Sequence, residues 1–140
     1  MTRERGSASL EFVVVGFGVL VPILAVTVSA TALQTAQFAS TEISRQGVRA
    51  FAQATTTSTG KATVRRIARL SMNDFGIPGT ARIAVSCVPT NCQSQGALVR
   101  LTTTITVELP MVPVLPGLEV LRRIPVSATA HHRTPLPSAP

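Results

Sequence analysis

The chain has 140 residues with 13 Lys and Arg against six Asp and Glu, a formal net charge of +7. That length holds one modest domain beside a membrane segment and leaves no room for a second sizeable domain. Twelve of the basic residues are scattered arginines, and there is no Trp or Tyr to stack bases, which argues against a nucleic-acid partner.

The N-terminus carries Arg3 and Arg5, then Gly6-Ser7-Ala8-Ser9-Leu10-Glu11-Phe12, and an apolar run follows at once. From Phe12 to Thr41 there is no ionisable side chain, and Leu10 to Leu33 is strongly apolar. At ~1.5 Å per residue this stretch extends ~36 Å, enough to cross a hydrocarbon core of ~30 Å with some tilt. Residues 7–33 are therefore read as a transmembrane helix. The basic residues on its short side place the N-terminus in the cytoplasm and the remainder outside, where anionic lipid headgroups or cell-wall polymers are the natural acidic neighbours. Glu11 at the mouth of the span needs an offsetting partner, since an acidic residue at a helix centre costs about 2.5–3.5 kcal/mol, less near the interface. Pro22 predicts a kink rather than a break. Gly16 and Gly18 offer a close-approach surface to another helix, or are ordinary membrane-helix composition. Ala30-Thr31-Ala32 also fits a small-residue cleavage pattern, which leaves release as a secreted module after Ala32 as an alternative. The apolar run is longer than the ~7–15 residues of a signal-peptide core, and such a peptide has no use for Glu11.

Beyond Leu33 the helix is expected to continue to about Ala54 as an amphipathic segment. Phe38, Ile43, Ala50 and Phe51 form its loose apolar stripe, with Glu42, Arg45, Gln46 and Arg49 on the polar side. Glu42 and Arg45 attract at i, i+3, whereas Arg45 and Arg49 repel at i, i+4. The run Thr55 to Thr59, closed by Gly60, reads as a helix end and loop. A second helix is predicted over Lys61 to Phe75, with Val64, Ile67, Ala68, Ser71, Met72 and Phe75 on one face. Gly76 and Pro78 supply its stop signal. Lys61, Arg65, Arg66 and Arg69 decorate the remainder, a face read as solvated, with a headgroup- or partner-binding surface as the alternative.

After Gly79 the period becomes two. Arg82 to Val88 places Ile83, Val85 and Cys87 on one side, and Ala97 to Leu109 places Val99, Leu101, Thr103, Ile105, Val107 and Leu109 together. Pro110, Pro113, Pro116 and Gly117 enforce an extended loop. A third strand is expected from about Glu119 to Ala130, with Ile124, Val126, Ala128 and Ala130 on one face and Pro125 marking it as an edge. Residues 133–140, with three prolines, are expected to be a disordered tail. The fold class is α+β: a long N-terminal helix that spans and then turns amphipathic, a second helix, and a small three-stranded antiparallel sheet.

No catalytic constellation is legible. His131 and His132 are adjacent and point to opposite faces of a strand, so they cannot easily share a metal, and no further ligand completes a set. None of the six acidic residues is spaced for a carboxylate pair, and no phosphate loop or nucleophile elbow is present. The sequence calls for no cofactor or metal and reads as a non-enzyme. Cys87 and Cys92 are the only cysteines. Outside a bacterial membrane they are expected to oxidise and close the hairpin loop, with free thiols or pairing between subunits as the alternatives.

Over its whole length the chain resembles the TadE-like minor pseudopilins of tight-adherence (Flp-type, type IVb) pilus systems. The resemblance rests on Arg5-Gly6-Ser7-Ala8-Ser9-Leu10-Glu11-Phe12-Val13, which is similar to that family's R-G-S-A-x-x-E-F opening. It continues through Ile43 to Ala54 and the paired alternating strands around a Pro-rich loop. The opening motif is fairly specific, and the downstream matches are loose. The resemblance implies that residues 1–6 are a leader cut after Gly6 by a prepilin peptidase, leaving Ser7 as the mature N-terminus. Ser7 departs from the Phe of archetypal pilins, although small residues are usual in this subgroup. The resemblance also implies that Glu11, beside Phe12, is the assembly carboxylate and meets the new amine of a neighbouring subunit. Residues 34–132 would be an extracytoplasmic pilin-like domain. Other pilins or pseudopilins, the inner-membrane assembly platform and membrane lipid would be its partners, at the cell membrane or the base of a pilus.

Overall fold

The computed structural model describes residues 7–109 and 122–134. The expected leader with Gly6, the loop of Pro110, Pro113, Pro116 and Gly117, the start of the third strand at Glu119, and residues 135–140 lie outside the described residues.

Helix α1 runs unbroken from Ser7 to Ala52, 46 residues with Pro22 inside it. At ~1.5 Å per residue it is ~69 Å long, about twice a bilayer's hydrocarbon thickness. Its two halves differ in environment. Leu10 to Val28 presents exposed apolar side chains, whereas Ala36, Ala39, Ser40, Ile43, Ser44, Val48 and Phe51 are buried. This buried stripe corrects the expected one. Ile43 and Phe51 belong to it, but Phe38 is 66% exposed and Ala50 only half-buried. Phe38 is two residues from both Ala36 and Ser40, which turns it ~200° away from the buried face. Between Ala36 and Ser44 the buried face of α1 is mostly small, Ala36, Ala39, Ser40 and Ser44 with Ile43 as its one large apolar member, and the larger Val48 and Phe51 follow toward its end. On the polar side, Gln46 Nε2 donates to Glu42 Oε1, so Gln46 rather than Arg45 is the recorded partner of that carboxylate.

Helix α2 covers Thr57–Asp74, four residues earlier at its start than the pattern predicts. Thr56 is its N-cap, with its hydroxyl accepting from the Thr59 N–H at 3.2 Å. Gly60, expected to close a loop, instead lies buried inside α2 against Phe51, where a Cβ would stand 2.8 Å from the Phe51 ring. The C-terminus ends as expected. Gly76 adopts φ +64°, and the Ile77 N–H donates to the Met72 carbonyl at 2.9 Å, a Schellman closure.

Three antiparallel strands follow: β1 (Arg82–Val88), β2 (Leu98–Glu108) and β3 (Arg123–Arg133), in spatial order β1-β2-β3. Pro125 accordingly sits on an edge strand, where its missing N–H breaks no central ladder. β3 ends later than expected, at Arg133 rather than about Ala130. Its pairing with β2 extends to Leu98↔Arg133, and buried Thr134 donates its N–H to the Ala97 carbonyl at 2.9 Å. Arg133 therefore belongs to the sheet and not to a tail, because backbone pairing rather than apolar content sets the end.

Both helices cover one face of the sheet. One end of the core joins Ala36, Ala39 and Ile43 of α1 to Ala68 and Met72 of α2 and to Ile105 and Val107 of β2. The other joins Val48 and Phe51 to Val64, Val99 and Leu101. Between them Ser44 Oγ lies 2.9 Å from both Thr103 Oγ1 and the Ala128 carbonyl. The Ser44 hydroxyl donates toward both acceptors, its one proton shared between them, and so ties α1 to β2 and β3 at once. Ser44→Ala is expected to cost about 1–3 kcal/mol by leaving these groups unpaired. Adding Thr103→Val should recover part of that loss in denaturant melts; a double variant no better than additive would remove this pairing from the account.

Candidate membrane anchor and assembly surface

The N-terminal half of α1 is the most distinctive surface of the molecule. Its most apolar 18-residue window has a mean hydropathy of 2.5, and none of that window is buried within the protein. Helix propensity and i→i−4 bonding satisfy its backbone internally, the condition for a segment that crosses hydrocarbon. Three threonine hydroxyls follow the same rule: Thr27, Thr31 and Thr35 donate to the carbonyls of Ile23, Thr27 and Thr31 at 2.8, 3.0 and 2.9 Å. One apolar helix of this length is compatible with a single-pass membrane protein.

Glu11 is exposed on the second turn of this helix, and Phe12 beside it is 80% exposed. Among the described residues Glu11 has no ion-pair partner; the one recorded pair joins Arg123 to Glu108 at 2.8 Å, near the start of β3. Ser7 opens α1, four residues before Glu11. Gly6 lies outside the described residues. A Cβ built on Gly16 or Gly18 meets nothing within 4 Å, so any close approach there would be made to another molecule.

At the far end of the sheet Cys87 and Cys92 form a disulfide across 5.2 Å between their Cα atoms, closing the β1–β2 turn. Both half-cystines pack against the core around Phe51 and Val64. Thr57 Oγ1 donates to Gln93 Oε1 at 2.8 Å, tying the same turn to the start of α2. Opening the six-residue loop by Cys87→Ser is expected to cost about 2 kcal/mol by the loop-entropy relation. That should appear as faster proteolysis of the sheet domain, with the wild type showing one intramolecular bond in non-reducing mass spectrometry. Unchanged proteolysis would show that the turn is held by its other contacts.

His131 is exposed opposite Arg100, and His132 half-buried opposite Val99. The two share no site. Among the described residues no three His, Cys, Asp or Glu side chains converge on a position that could hold a metal.

Sequence reasoning missed a cleft of about 960 Å³ where α1 leaves the domain. Thr27, Val28, Thr31 and Ala32 of α1 form one wall, and the α2–β1 connection forms another. It joins segments about 50 residues apart, so no local pattern announces it. Comparison with protein-family models, curated proteins and solved structures finds no match for this chain.

Proposed function

We propose that this protein is a minor pilin-like subunit, a structural component rather than a catalyst. In this reading a prepilin peptidase cuts between Gly6 and Ser7, with the N-terminus cytoplasmic and the sheet domain outside. The observation that carries it is the construction of α1, one continuous helix whose first half is bare and apolar and whose second half is built into an α+β domain. Such a helix can serve first as an anchor and then as a packing rod for neighbouring copies. The motif from Arg5 to Val13 supports the reading independently, by placing Glu11 at the entrance of the bare half. Other pilins or pseudopilins and the inner-membrane assembly platform are its partners.

Release after Ala32 fits the packing less well. Ala32 and Leu33 pack against the core that contains Ala36 and Ala39, so that cut falls within a helical stretch that the domain uses. Mass-spectrometric identification of the mature N-terminus tests the assignment. Ser7 is expected, and Gly6→Val should leave the precursor inserted but uncut. A chain beginning at Met1 or Thr2 would make it an uncleaved envelope protein with a partner-binding outer domain. One beginning at Leu33 would make it a secreted module.

A further inference from the structure

We propose that the connection Phe75–Thr80 seats on the outer headgroup layer of the bilayer that α1 crosses, fixing the domain against the membrane. The inference rests on the membrane-spanning part of the reading above and is independent of pilus assembly.

Helix geometry sets the depth. Counting from Leu10 at ~1.5 Å per residue, Thr27 stands ~26 Å and Ala36 ~39 Å along the axis, so a hydrocarbon core of ~30 Å ends near Ala30. An ordinary tilt of about 20° shortens these heights by only about a twentieth. The connection shares the cleft with this same stretch of α1, so it lies at the level where hydrocarbon gives way to headgroups. It is also suited to that level. No ionisable side chain occurs from Phe75 to Ala81, Phe75 is 39% exposed, and Pro78 is exposed. An aromatic ring and uncharged backbone at the headgroup boundary match the composition of membrane interfaces.

The loop is held in place from above. The Schellman closure at Gly76 fixes its departure from α2, and Ile77 packs against the core that holds Met72 and Ala36. The nearby charges divide by position. Asp74 precedes the loop, and Glu108 is neutralised by Arg123. Arg65 and Arg69 rim an adjoining groove shared with Ile77, Gly79 and Thr80, and Arg69, only six residues or ~9 Å before Phe75 along α2, is the one whose long stem can extend toward anionic headgroups. The cleft is continuous with the apolar surface of the span itself, which favours lipid over a protein occupant.

The chain contains no Trp and no Tyr, so a single introduced Trp is a clean reporter. Full-length Phe75→Trp would be reconstituted in phosphatidylethanolamine and phosphatidylglycerol vesicles carrying nitroxides at the headgroup or near the midplane. Pro78→Trp reports on the same loop if the first variant folds poorly. Both are expected to lose fluorescence to the shallow quencher more than to the deep one. Leu20→Trp, in mid-span, should show the reverse, and Phe38→Trp, ~42 Å from Leu10, should respond to neither. Quenching of Leu20→Trp without quenching of the loop reporters would overturn the proposal while leaving the span intact. A blue-shifted loop reporter that lipid does not quench would assign the cleft to a protein occupant and likewise overturn it. If Leu20→Trp is also unquenched, the spanning assignment falls and takes the proposal with it.

Discussion

Phe51→Ala is expected to destabilise the sheet domain by about 3–5 kcal/mol, the largest effect of any single truncation in this molecule. Phe51 is 1% exposed and is the largest fully buried side chain. It closes the end of the core where α1, α2 and β2 meet, beside Val64, Val99 and Leu101. Its ring lies against Gly60, where an added Cβ would stand 2.8 Å from one ring carbon and 3.1 Å from the next. The buried ring has little freedom to move, so Gly60→Ala should cost about 1–3 kcal/mol by overpacking. Because the two changes err in opposite directions, Phe51→Leu with Gly60→Ala should be less harmful than the sum of its parts. Chemical denaturation of the four proteins checks this. Additive losses would mean that the helices do not meet at this contact.

The same contact marks the boundary of what can be read from residues in order. The alternation from Val99 to Val107 announced its strand directly, because β-branched residues at period two have one stable use. The end of α2 was equally plain, since Gly76 and Pro78 act locally. Gly60 acts through a distant ring, and in one dimension it looks like any loop glycine. The run of Thr and Ser before it concealed the N-cap at Thr56 for a related reason, as hydroxyl residues suit loops and caps alike. Phe38 shows that size alone is no evidence of burial, since this stretch of α1 packs through Ala36, Ala39, Ser40, Ile43 and Ser44 and turns the ring outward. Its exposure leaves a large aromatic on the outer surface of a helix whose opposite side is fully used. Within the candidate site, the bare span and the position of Glu11 were visible in hydropathy and spacing alone. The cleft was not, because it is formed where a helix, a connection and the end of a sheet converge.

Glu11→Gln is expected to leave membrane insertion intact and to reduce recovery of the protein with its assembly partners by about tenfold or more. The two effects separate because they depend on different properties of the side chain. Insertion is driven by the exposed apolar residues from Leu10 onward, and an uncharged amide is less costly than a carboxylate beside hydrocarbon. Assembly, in the reading proposed here, depends on the charge itself. Glu11 has no ion-pair partner among the described residues, and it stands beside Phe12 on a helix that makes no use of this region within the chain. In that reading the cation that meets it is the amine that processing would generate at Ser7 of an adjacent copy. Glu11→Asp keeps the charge on a shorter stem and should recover assembly in part, which a purely steric role for Glu11 would not explain. Gly6→Val provides the complementary control, because an uncut leader withholds the amine while leaving the carboxylate in place. Loss of assembly in both variants, with both still extracted from the membrane fraction, is the expected pattern. Normal co-purification and piliation with Glu11→Gln would remove the carboxylate from assembly and leave its position at the mouth of the span to be explained by insertion alone.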